Sequence, residues 1–126
     1  MTPTVLLNHA TTLVSAPTPS MQGVWARAAA TLARQALETH LDVVLRDLAP
    51  GTQTAPARTR FLCLLSLHPD PNLAREVAYA WSALSRAIHH HAYELPPTVE
   101  ELQRWISSVQ HFVEHGRPIV KVPHWT

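Results

Sequence analysis

The chain has 126 residues, 46% of them apolar and 15% charged, with a formal net charge of +1 when histidine is counted neutral. That length suits one core rather than two, and the apolar share excludes a disordered tail. The near-zero charge excludes the broad basic surplus of a protein that covers many phosphates of a duplex.

Residues 1–20 carry the weakest pattern, although Val5, Leu6, Leu7, Leu13 and Val14 allow a short helix before Pro17 and Pro19. The opening Met1-Thr-Pro-Thr-Val-Leu-Leu-Asn-His9 lacks the basic start and long apolar run of a signal peptide. No stretch approaches the ~20 apolar residues of a membrane span, so a cytoplasmic protein with no membrane partner is expected. A long helix is predicted from about Met21 to Leu48, with Ser20 as N-cap. Its apolar face shifts from Trp25, Ala29, Leu32 and Ala36 to Leu37, Leu41, Val44 and Leu45. Such drift implies either a bend or a helix that meets different neighbours along its length.

Ala49-Pro-Gly-Thr-Gln-Thr-Ala-Pro56 reads as a loop. A short helix over Ala57–Leu67 follows, ending at His68-Pro69, with Cys63 as a buried small hydrophobe that has no partner for a disulfide. Asp70-Pro71 has the chemistry of an N-cap followed by the first helical residue, and the helix it starts is expected to reach about Tyr93 before Pro96-Pro97. Thr98-Val-Glu-Glu101 matches a capping box and opens a last helix that runs to His115, with Gly116 at its C-terminal cap. The reading is all-α: an up-and-down bundle of four to five helices. Residues 1–20 stand apart as an N-terminal segment, 21–115 form the helical domain and 116–126 are a tail.

The helix after Asp70 has two faces. Leu73, Val77, Ala80, Trp81, Leu84, Ile88, Ala92 and Leu95 recur at helical spacing as a core stripe. Tyr79, Ser82, Arg86, His89, His90 and Tyr93 fall within an arc of roughly 100° on an ideal helix, either a solvated polar face or a functional one. Arg86, four residues, His91, one residue and Tyr93 read as Arg-x4-His-x-Tyr. This motif, late in a small helical chain, resembles the HEPN family (higher eukaryotes and prokaryotes nucleotide-binding domains). The added tyrosine is similar to the subgroup of HEPN toxins paired with minimal nucleotidyltransferase antitoxins.

That resemblance implies a HEPN-like homodimer acting as a metal-independent endoribonuclease, a toxin or antiviral effector, with RNA as substrate. Two copies of the motif would share one cleft and leave 2′,3′-cyclic phosphate ends. Arg86 and His91 would be the catalytic residues, and Tyr93 would line the cleft or accept AMP from a nucleotidyltransferase-type antitoxin. The residue types suit this chemistry: imidazole moves protons near neutral pH, and guanidinium presents a fixed fork to phosphate oxygens. The family often has a polar residue after the arginine, whereas Ala87 stands here. On a continuous helix Arg86 and His91 would also stand roughly 140° apart. His90 would then be the better partner of Arg86 unless the core stripe forms part of a dimer interface or the helix loosens before Pro96. His89, His90, Tyr93 and Ser82 are therefore secondary candidates. The alternative is a non-catalytic HEPN-like module that binds nucleotide, RNA or a partner protein; a helical dimerisation protein is a third reading.

No cofactor or metal is expected. His111 and His115 have the i, i+4 spacing of a ligand pair with Glu114 nearby, which is too few groups for a structural zinc site. Arg58 and Arg60 are either phosphate contacts or solubilising charges. Trp25, Trp81 and Trp105 read as core.

Overall fold

A computed structural model describes residues 1–15, 24–89 and 96–118. Among these residues the chain is an all-α bundle of five helices: α1 (Pro3–Ser15), α2 (Val24–Leu48), α3 (Ala57–Leu67), α4 (Pro71–Ile88) and α5 (Val99–His115).

Local chemistry sets the starts of α4 and α5. The Asp70 carboxylate accepts the Leu73 N–H at 3.1 Å, and Pro71 follows in the first turn where its missing N–H costs nothing. At α5 the Thr98 hydroxyl and the Glu101 carboxylate each accept the other's backbone N–H at 3.1 Å. Both orphan donors of the first turn are thereby satisfied. Between α2 and α3 the chain reverses through Gly51, whose φ of +89° would strain any side chain.

α2 runs through the middle of the bundle and packs against α1, α3, α4 and α5. This explains the shifting apolar face: different neighbours bury Trp25, Ala29, Ala33, Leu37, Leu41 and Leu45 along its length. Arg34 meets Ser85 and Glu38 meets Trp81, so α2 and α4 run antiparallel. His40 meets Phe112 and Asp47 meets Arg117, in rising order along both segments, so α2 and α5 run in the same direction. α1 and α4 each pack against both α2 and α5.

The N-terminal segment joins the same core. Leu6, Leu7, Ala10 and Val14 of α1 are buried, and alanines at Ala26, Ala29, Ala30 and Ala33 leave room for close helix approach. The predicted N-cap Ser20 lies outside the described residues. Among those residues, no helix is long and apolar enough to cross a membrane.

Three expectations need correction. α4 ends at Ile88, not near Tyr93: His89 takes φ −104° and ψ 16°, off the helical well, while its N–H closes the last turn on Ser85. Arg60 is neither a phosphate contact nor a solubilising charge; it is buried and paired with Asp42 of α2. Cys63 is half-buried rather than buried, because it packs only against the edge of the core.

Candidate functional site

α4 separates its two faces cleanly. Leu73, Ala74, Val77, Ala80, Ala83, Leu84 and Ala87 are buried, with Trp81 and Ile88 half-buried beside them. Tyr79, Ser82, Arg86 and His89 are all exposed. The small side chain at Ala87 follows from this division, because the position after Arg86 turns into the core.

Contacts on both flanks fix the rotation of α4. Towards α2, the Trp81 indole N–H donates to Glu38 Oε1 at 3.0 Å, and the Arg34 guanidinium lies 3.5 Å from the Ser85 hydroxyl. The Trp81 ring also packs on Phe61 of α3, with centroids 5.0 Å apart. Towards α5, His111 Nδ1 lies 3.3 Å from the Glu76 carboxylate. These anchors leave the ridge of Tyr79, Ser82, Arg86 and His89 pointing outward.

Arg86 occupies the last turn of α4, where the helix dipole favours a cation. No carboxylate partners its guanidinium among the described residues. Arg34 contributes a second guanidinium beside the same turn, half-buried and 3.8 Å from Glu38. No motif in the sequence marks Arg34. Its only local signal is the Arg34-x3-Glu38 spacing, whereas its contact with Ser85 spans α2 and α4. His90, His91 and Tyr93 lie outside the described residues.

Other histidines are placed differently. His111 and His115 stack edge to face at 5.1 Å, with His115 near Glu114. Among the described residues no group of three or more His, Cys, Asp or Glu could hold a metal ion. His40 and His68 are buried. His40 packs edge-on against Phe112 at 4.9 Å, and burial, reinforced by Arg117, holds its pKa below the ordinary 6.5. Neither histidine carries a local mark of burial in the sequence.

A groove of about 320 Å³ runs between α1 and α5, lined by Thr11, Ser15, Gln103, Ser107 and Gln110 together with Val14 and Ile106. Its polar groups are hydroxyls and amides, which leaves it without a titratable group for acid–base work.

Comparison with known proteins adds no relative: no family model, no curated protein and no solved structure matches the chain.

Proposed function

We propose that the protein is a metal-independent endoribonuclease of HEPN type, working as a homodimer with Arg86 and His91 at its centre. The reading rests on the Arg-x4-His-x-Tyr spacing. The observation that carries it is the exposed guanidinium of Arg86 on the last turn of a rigidly anchored helix, just before the histidine run.

In this mechanism His91 takes the proton of a ribose 2′-hydroxyl, with His90 and His89 as the nearby substitutes. The 2′-oxygen bonds to phosphorus, the bond to the 5′-oxygen breaks, and that oxygen receives a proton as it leaves. Arg86 balances the charge on the crowded phosphorus. The products are a 2′,3′-cyclic phosphate and a 5′-hydroxyl. Ser82 and Tyr93 complete the cleft, and an AMP attached to Tyr93 by a nucleotidyltransferase-type antitoxin would fill it with bulk and negative charge. A toxin or antiviral role inside the cytoplasm fits such control.

The test is incubation of purified protein with RNA in EDTA, with analysis of fragment ends. Cyclic phosphate ends that vanish in Arg86→Ala and His91→Ala support the reading, and the His90→Ala variant identifies the working histidine. Intact RNA at high protein concentration removes it. Intact RNA that is nevertheless bound selects a non-catalytic module using the same face.

A further inference from the structure

Arg75, Tyr79, Ser82, Arg86 and His89 follow one another at intervals of four and three residues, so they stack into a single exposed ridge along α4. The ridge opposes the buried Leu73, Val77, Ala80 and Leu84. Tyr79 is its unusual member. Trp25, Phe61, Trp81, Trp105 and Phe112 are buried or half-buried, whereas Tyr79 is 61% exposed, the only exposed Phe, Trp or Tyr among the described residues.

The ridge also carries positive charge. Arg75 hydrogen-bonds the Asn72 side-chain oxygen at 2.5 Å, a neutral partner that leaves its charge intact. The Glu76–His111 contact sets the register of α4 on α5, which runs the opposite way. Counting back along α5 from His111 puts exposed Arg104 level with the middle of the ridge. Glu76, the one carboxylate within α4, is already engaged by His111, and the same count puts Glu100 and Glu101 level with Arg86, at the far end from Arg75 and Tyr79.

An aromatic face between cations is the arrangement that holds unpaired bases: the ring stacks on a base while the cations follow the phosphates. A duplex keeps its base faces stacked on one another and offers Tyr79 nothing comparable. Tyr79 and Arg86 are seven residues apart, about 10 Å along the helix axis. A base resting on Tyr79 therefore belongs to a different nucleotide from the one whose phosphate Arg86 holds.

We propose that Tyr79, flanked by Arg75, forms a subsite that stacks on an unpaired base of RNA at a distance from the cleavage point. The assignment of the cleavage point rests on the ribonuclease reading; the stacking itself does not.

The experiment is fluorescence anisotropy of the full chain with an end-labelled single-stranded RNA octamer, 2′-O-methylated throughout so that it cannot be cleaved. A matching duplex is titrated alongside. Tyr79→Ala should raise the octamer Kd roughly 5- to 100-fold, the loss of one base–aromatic stack. Tyr79→Phe and Tyr79→Trp should stay within about twofold of the parent, because the stacking face survives. Arg75→Ala should weaken binding and flatten its salt dependence. Unchanged binding by Tyr79→Ala, equal loss on the duplex, or no octamer binding by the parent would overturn the subsite. So would a change of oligomeric state in Tyr79→Ala without a change in binding, since the ring would then serve a protein contact. Tyr79-dependent binding without cleavage of unmodified RNA leaves the subsite and removes the ribonuclease; cleavage indifferent to Tyr79 does the reverse.

Discussion

The carbonyl oxygen of Gly116, one residue beyond α5, lies 2.6 Å from Nε2 of His68 at the α3–α4 junction. The other ring nitrogen, Nδ1, accepts the backbone N–H of Asp70 at 3.0 Å, which puts the ring proton on Nε2 and makes the imidazole a neutral donor and acceptor. One buried side chain thus ties the start of α4 to the end of α5, and with them the Arg75 end of the ridge.

Removing that tie should be costly. His68→Ala leaves a donor and an acceptor without partners, and about 2–4 kcal/mol of stability should be lost, read as a lower urea midpoint. Gly116→Ala should cost about 1–3 kcal/mol for a different reason. Its φ of −73° suits any residue, yet a Cβ there collides with the ring and carbonyl of Phe112, which is fully buried. A Gly116→Ala variant as stable as the parent would contradict this packing.

His40 makes stability depend on pH. Its Nε2 is buried without a hydrogen-bond partner among the described residues, and burial, then Arg117, lowers its pKa from the ordinary 6.5. Below 6.5 the unfolded chain takes up a proton that the folded chain resists, so stability is lost as pH falls; above 6.5 the group adds no slope. His40→Leu should therefore gain on the parent as pH falls below 6.5. Urea midpoints at several pH values check this, and a constant difference would refute it.

The Arg60–Asp42 pair should respond unequally to its two removals. Asp42→Ala leaves a guanidinium buried with only the Glu38 carbonyl, 3.5 Å away, and an Nε that already lacks a partner. Because the Asp42 side chain is 40% exposed, solvent screens part of the loss, and about 1–3 kcal/mol is expected. Arg60→Met, which fills the site without a charge, should cost less. Thermal denaturation of both variants ranks them, and the opposite order would count against a structural role for the pair.

Arg86 should separate activity from folding. Its side chain is exposed, so Arg86→Lys and Arg86→Ala should each unfold within about 0.5 kcal/mol of the parent. Under the ribonuclease proposal, RNA cleavage should nonetheless fall on the order of 100- to 1000-fold in Arg86→Ala, as for loss of one preorganised charge stabiliser. Lysine should restore only part of it, because a point charge lacks the planar fork. Equal activity in all three proteins would place catalysis elsewhere.

The features legible in the sequence are those whose causes lie within a few residues. Asp70-Pro71, the Thr98–Glu101 capping box and the outward positions of Ser82, Arg86 and His89 follow from side chains meeting backbone one turn away, or from a 3.6-residue period, while the α3 boundaries follow from the flanking Pro56 and Pro69. The candidate motif was legible for the same reason, being a spacing along one stretch of chain.

Tertiary structure decided the rest, because burial depends on what arrives from elsewhere. His40 is a core residue only because α5 brings Phe112 to it, and His68 because Gly116 caps it. Arg60 turns inward because α2 offers Asp42, and α1, nearly featureless alone, is buried against α2 and α5. A polar side chain carries no local mark of the partner that will satisfy it. Only when the helices meet does that partner exist, and with it the difference between a surface charge and a structural one.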